Sequence, residues 1–124
     1  MTKLKKVCVI DDDEIFVFAF KKILRISGFC EDVTVYFNGK EAINGITSSN
    51  EDLDLIFLDI NMPVMDGWGF LEQLEQQNID HSTPIYLLTS SIDQYDKIRA
   101  EQSRLVSKYL VKPLSVEDLT KLEV

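Results

Sequence analysis

Histidine and cysteine, the side chains that build zinc sites and thiol chemistry, are almost absent: one histidine and two cysteines in 124 residues. Cys8 and Cys30 form no Cys-x-x-Cys pair and are too few for a disulfide framework, so both read as small apolar fillers. No apolar run approaches the length of a membrane helix, and the apolar run that follows the basic start, Val7–Ile10, is too short for the core of a leader peptide. A soluble, cytoplasmic protein is expected. Basic charge is also short, with 13 Lys plus Arg against 21 Asp plus Glu, a net charge of −8. That balance repels phosphate backbones and anionic bilayers, which argues against direct nucleic-acid or membrane binding.

What is present is ordinary for one globular domain over residues 1–124: 45% apolar and 27% charged residues, enough for a single core. Short apolar runs at Val7–Ile10, Leu55–Leu58 and Ile85–Leu88 are nearly continuous, the pattern of parallel strands covered on both faces. Val33–Phe37 alternates and suits a half-covered edge strand, and Tyr109–Val111 supplies a fifth run. Helix-length stretches lie between them: Glu14–Ser27 stopping at Gly28, Gly39–Thr47, Asp66–Gln77 opened by Asp66, Asp93–Ser103, and Ser115–Leu122. The fourth has only Ile92, Tyr95, Ile98 and Ala100 to pack, and the fifth opens with Ser115 and Asp118 in capping-box spacing. Five strand–helix repeats without internal sequence repeats predict an α/β fold, an open parallel sheet with helices on both faces.

In such sheets ligands bind beyond the carboxyl ends of the strands. Asp11, Asp12, Asp13 and Glu14 follow the first run, Asp59 the third, Thr89 the fourth and Lys112 the fifth. Taken singly these have bland readings: an acidic stretch often starts a helix, an aspartate often caps one, and lone threonines or lysines are mostly ordinary. Together they converge. Ionised carboxylates held a few ångströms apart repel strongly and call for a cation, and oxygen ligands without His or Cys favour Mg²⁺ over zinc. A carboxylate nucleophile beside Mg²⁺, an ammonium and a hydroxyl is suited to phosphoryl transfer.

Four segments carry a resemblance: Val9-Ile10-Asp11-Asp12-Asp13, Leu58-Asp59-Ile60-Asn61-Met62-Pro63-Val64-Met65-Asp66-Gly67, Leu88-Thr89-Ser90 and Tyr109-Leu110-Val111-Lys112-Pro113. In order and spacing the chain resembles the receiver domain of two-component response regulators over nearly its whole length. The resemblance implies a flavodoxin-like, doubly wound five-stranded sheet in the order 2-1-3-4-5. It implies Asp59 as phosphoacceptor, and a Mg²⁺ site formed by Asp11, Asp12, Asp59 and the backbone carbonyl of Asn61. Thr89 and Tyr109 match a switch pair, Lys112 the lysine that contacts the phosphoryl group, and Ser90 a position kept small for access. A cis peptide is implied at Lys112-Pro113. Asp13 and Glu14 have no assigned role and start the first helix.

The implied partners are a histidine kinase or histidine phosphotransferase and an unidentified output protein. The resemblance also implies that the face of the fourth helix, fifth strand and fifth helix serves output, with the chain a monomer or weak dimer through it. Such a chain is a phospho-accepting signalling domain that catalyses only its own phosphorylation and dephosphorylation. It is either a stand-alone regulator or the receiver of a longer protein. Two departures stand out: Gln102–Lys108 lacks the Gly-Ala turn common in the family, and the last helix is short.

A Mg²⁺-dependent phosphatase of haloacid-dehalogenase type is the alternative, because Asp11–Asp13 contains an Asp-x-Asp. The next residues, Glu14-Ile15, do not fit the pattern of those phosphatases, and no insertion is large enough for a substrate cap. A flavin carrier on the same sheet would place a phosphate where four consecutive acids repel it. A receiver that no longer accepts phosphate would not be expected to keep all five matching positions. His81 sits in the polar loop Asp80-His81-Ser82-Thr83 and reads as a solvated loop residue. On the first helix, centring the core face on Phe20 brings Phe16, Ile23 and Ser27 to it, leaves Val17 on the flank and turns Phe18 outward. Val17 and Phe18 are therefore expected to form part of a docking patch for the helical bundle that carries the phosphohistidine.

Overall fold

The computed structural model describes residues 3–48, 52–77, 82–90 and 93–122. Five strands and five helices alternate: β1 (Leu4–Ile10), α1 (Glu14–Ile26), β2 (Cys30–Tyr36), α2 (Gly39–Ser48), β3 (Leu55–Asp59), α3 (Gly67–Gln76), β4 (Ile85–Thr89), α4 (Gln94–Gln102), β5 (Val106–Val111) and α5 (Val116–Lys121). All pairings are parallel and the sheet order is β2-β1-β3-β4-β5, as the resemblance implies.

The continuous apolar runs are the inner strands, because each side chain there meets a helix. Val7, Val9, Leu55, Phe57, Tyr86 and Leu88 face α1 and α5, where Val17, Phe20, Leu24 and Leu119 cover them. Cys8, Ile10, Ile56, Leu58, Ile85 and Leu87 face the other way, onto Ala42, Ile43, Phe70, Leu71, Leu74 and Ala100 of α2, α3 and α4. The edge strands β2 and β5 are only half covered, and both start earlier than the apolar pattern indicates. Val106, Ser107 and Lys108 precede the run recognised as β5, since an edge strand needs apolar cover on few of its residues.

Helix ends follow their local chemistry. Asp13 caps α1 by accepting from the N–H groups of Ile15 and Phe16, and Gly28, at φ 70°, follows its C-cap. Asp66 caps α3, and Ser115 with Asp118 forms a reciprocal capping box on α5. At six residues α5 is short, and Lys3 steadies its far end by donating to the carbonyls of Leu119, Thr120 and Leu122. Two expectations are corrected. Val17 is 3% exposed and belongs to the core beside Phe20 and Leu24, because the buried arc of α1 is centred between those residues, not on Phe20. On α4, Tyr95 (84% exposed) and Ile98 (51%) point away from Ala100, the buried residue of that helix; Ile92 lies outside the described residues.

The loop from β3 to α3 is tightly constrained. Val64 adopts φ 70°, and the Met65 N–H donates to the Pro63 carbonyl at 2.8 Å, a γ-turn that a β-branched residue enters at a cost. The loop closes where the Gly67 N–H donates to the Ile60 carbonyl at 2.8 Å. A Cβ at Gly67 would lie 2.6 Å from the Asp59 carbonyl oxygen, so only glycine lets α3 start against the end of β3. Val64→Gly should therefore raise the melting temperature by a few degrees, a gain on the order of 1 kcal/mol, whereas Gly67→Ala should lower it by about 1–3 kcal/mol. Thermal melts of both variants check the pair, and a destabilised Val64→Gly would contradict the strain.

Candidate functional site at the strand ends

Parallel pairing determines which residues meet. Ile10 pairs with Leu58 across β1 and β3, so the next residues, Asp11 and Asp59, leave the sheet side by side. The Asp11 N–H is tied to the Tyr36 carbonyl at 3.0 Å and the Lys112 N–H to the Thr89 carbonyl at 2.8 Å. Lys112, distant in sequence, thereby enters the same cleft. Asp11 is fully buried, Asp59 is 5% exposed, and Asp12 stands at the open rim.

The three carboxylates of Asp11, Asp12 and Asp59 offer oxygens that all lie within 4.8 Å of one another. One ammonium faces them: Lys112 Nζ is 2.5 Å from Asp11 Oδ2 and 3.5 Å from Asp59 Oδ1, with its side chain 11% exposed. Asp11 Oδ1 meanwhile accepts from the Asp13 N–H at 3.0 Å, which orients the carboxylate and keeps Oδ2 for the lysine. Burial, aided by the negative charge of Asp11 and Asp12 and opposed by Lys112, pushes the Asp59 carboxyl up to about 7. With the carboxylates ionised, one ammonium leaves two negative charges without a counterion. An all-oxygen donor set with that residual charge fits a hard divalent cation such as Mg²⁺. Asn61 lies exposed two residues past Asp59, in the loop where its carbonyl is expected to contribute.

Thr89 is fully buried at the end of β4; two residues after Leu87, it follows that residue's face by strand alternation, while Asp59 follows Phe57 on the other. Its side chain hydrogen-bonds Tyr109, whose phenol pKa is raised by burial and by the charge of Asp96; the phenol also receives a bond from the Asp93 backbone. The two residues matched to a switch pair thus touch. Ser90, next in the chain, is exposed at the mouth of the cleft. The Lys112-Pro113 peptide is cis, as the resemblance implies. Phe18 is 65% exposed on the outer face of α1, with Ile15 and Ile26, and Lys22 Nζ lies 4.4 Å from its ring centroid. Val17, expected beside it in a docking patch, is buried and contributes nothing to that surface. His81 lies outside the described residues. Sequence reasoning missed Phe16, whose ring lies under Lys112, with 4.2 Å between Nζ and centroid. The available signal was its place in the first turn of α1, where side chains lean back toward the helix N-terminus.

The raised Asp59 pKa has a signed consequence. The folded state binds that proton more tightly than the unfolded state, so the stability it contributes is full below about pH 4 and is lost as pH rises through about 7. In EDTA, Asp59→Asn should be more stable than the unsubstituted protein at pH 8, by on the order of 1–3 kcal/mol, and much less so at pH 5. Melting temperatures across that range decide it, and a difference that does not change with pH would contradict the buried, crowded carboxylate.

Residues 7–122 match the family model for the response regulator receiver domain. A two-component response regulator from Cytophaga hutchinsonii superposes with a TM-score of 0.85 at 33% identity, covering 94% of this chain and 92% of that one. The receiver domain of the Francisella response regulator 1452 gives 0.76 at 36% identity, covering 93% and 89%. Among curated proteins, the alkaline phosphatase synthesis transcriptional regulatory protein PhoP of Bacillus subtilis is 33% identical over 93% of this chain and 45% of its own length. The chain spans about half the length of the curated relatives it matches. Among the described residues no helix is long and apolar enough to cross a membrane. The dehalogenase-type phosphatase alternative finds no support among these likenesses. This chain belongs to the receiver-domain family of two-component response regulators.

Proposed function

We propose that this chain takes a phosphoryl group onto Asp59 from the phosphohistidine of a cytoplasmic histidine kinase or phosphotransferase, with Mg²⁺ bound by Asp11, Asp12, Asp59 and the Asn61 carbonyl. One observation carries the reading: a nearly buried Asp59 faces Lys112 at 3.5 Å and shares a 4.8 Å cluster with Asp11 and Asp12. An Asp59 oxygen forms a bond to phosphorus while the donor's bond to phosphorus breaks, its electron pair leaving with the donor. Mg²⁺ bound there offsets charge on the cluster and on the transferring group. Lys112, already between two carboxylates, gives up part of its contact with Asp11 and donates to a phosphoryl oxygen. Thr89 turns its hydroxyl to another. Hydrolysis of the acyl phosphate resets the domain, so the catalysis acts on the chain itself.

The output reading comes from the Thr89–Tyr109 contact. A Thr89 drawn toward the phosphoryl group loosens its bond to Tyr109, and the α4–β5–α5 face changes shape. That face carries Tyr95, Ile98, Val111 and Val116 exposed, an apolar surface suited to an output partner or to weak self-association. The donor's helical bundle docks along the outer face of α1 through Phe18.

Acetyl phosphate with Mg²⁺ should label the protein, and Asp59→Asn should not be labelled. Mg²⁺ should raise the melting temperature, and Asp12→Ala should remove most of that rise. Equal labelling of Asp59→Asn, or equal melting in EDTA and in excess Mg²⁺, would refute the respective assignment. A second test separates docking from chemistry. Burying a Phe contributes roughly 1.5–3 kcal/mol, so Phe18→Ser should slow transfer from the partner's phosphohistidine roughly tenfold or more. Labelling by acetyl phosphate should stay nearly unchanged, because so small a donor needs no docking surface. Equal losses with both donors would rule the docking role out.

A further inference from the structure

The Lys112 ammonium has neighbours on three sides, and only two of them are carboxylates. The third is the ring of Phe16, whose centroid is 4.2 Å from Nζ, well inside the range over which an aromatic face attracts a cation. With the lysine side chain 11% exposed, little water screens that attraction. We propose that Phe16 is a positioning residue for Lys112, its ring the fixed surface that holds the ammonium between Asp11 and Asp59. The inference rests on the reading of Asp59 as phosphoacceptor for its functional meaning, but not for its geometry.

The ring is itself held. Phe16 stacks on Phe20 with centroids 5.2 Å apart and planes at 22°. Phe20 meets Phe57 edge-on at 5.1 Å and 84°, and Phe57 continues to Tyr86 at 5.9 Å. Phe20 and Phe57 are buried, and Phe57 lies two residues before Asp59 on β3, on the same face of the sheet. From the other end, the Phe16 N–H donates to Asp13 Oδ1 at 3.1 Å, so the cap of α1 fixes the backbone from which the ring projects. A column of rings therefore ties the position of the lysine to the strand that carries the reacting carboxylate.

A ring suits this place for a chemical reason. Lys112 carries a long flexible stem, and its two carboxylate partners change charge as a phosphoryl group or a metal arrives. Another carboxylate on the third side would compete for the ammonium, and an aliphatic side chain would only fill space. An aromatic face attracts the charge without ionising, so its pull is the same before and after transfer.

Two measurements test this. In the unlabelled protein, the Lys112 ε-methylene protons should be shifted upfield by the ring current in NMR spectra, and Phe16→Leu should abolish that shift. Unshifted protons would overturn the proposal whether or not Asp59 is ever phosphorylated. Phe16→Leu should slow labelling by acetyl phosphate roughly three- to thirtyfold. Mono-, di- and trifluorophenylalanine at position 16, which weaken the ring's negative face at almost constant shape, should slow it stepwise while the melting temperature stays put. Wild-type rates throughout the fluorinated series would make Phe16 packing alone and overturn the positioning role. Labelling retained in Asp59→Asn would instead overturn the phosphoacceptor reading and leave the NMR result to judge Phe16.

Discussion

Three carboxylates brought against one ammonium at the end of a hydrophobic sheet is the arrangement on which the remaining structure depends. Burying like charges is costly, and a chain optimised for stability alone would not place a fully buried Asp11 beside a nearly buried Asp59. The surrounding fold offsets that cost. Buried apolar residues fill both faces of Val7–Ile10 in β1 and of β3 and β4 up to their last residues, and Lys112 is delivered from the far end of the chain by the pairing of β4 with β5. Because burial and the neighbouring carboxylates push Asp59 up to about 7, the site sits close to its own titration, and small changes in nearby charge alter its state.

The sheet also divides the site into two halves. Asp11, Asp59, Lys112 and the aromatic column under Phe16 lie on the α1 side, while Thr89 and Tyr109 lie toward α4. On that second side Asp96 is a junction: it accepts from Trp68 Nε1 at 3.2 Å, and its charge helps keep the Tyr109 phenol protonated. Arg99 lies over the Trp68 ring at 4.4 Å, so α3, which begins directly after the Asp59 loop, is bound to α4 by polar as well as apolar contacts. In the proposed switch, a rearrangement at Thr89 acts on a helix whose one buried residue is Ala100.

Much of this was legible in the chain. Apolar runs buried on both faces, Asp66 and Ser115 as caps, Gly28 as a stop, and acids at the strand ends are local signals, and local signals survive folding. What failed was whatever depends on neighbours. Val17 looked like a flank residue because a helical wheel says nothing of how far the opposing sheet reaches around α1. Tyr95 and Ile98 are expected to pack and do not, since the buried position of α4 is Ala100 and both point elsewhere. The partnership of Phe16 with Lys112 spans almost the whole chain, and no spacing rule points to it.

Residues 16, 17 and 18 show how finely α1 divides its work. A turn of about 100° per residue carries the chain from the site to the core to the solvent in two steps. Phe16 faces the lysine, Val17 packs with Phe20 and Leu24, and Phe18 stands in solvent between Ile15 and Ile26. The first helix is therefore a wall of the site, a layer of the core and an outer apolar surface at once. Moving any of these faces moves the other two, because the Asp13 cap and the aromatic column hold the helix at a fixed rotation. A partner that grips the outer face of α1 consequently bears on a rigid body whose inner face touches Lys112. In the proposed docking, binding and chemistry are joined through one helix, not through a flexible loop.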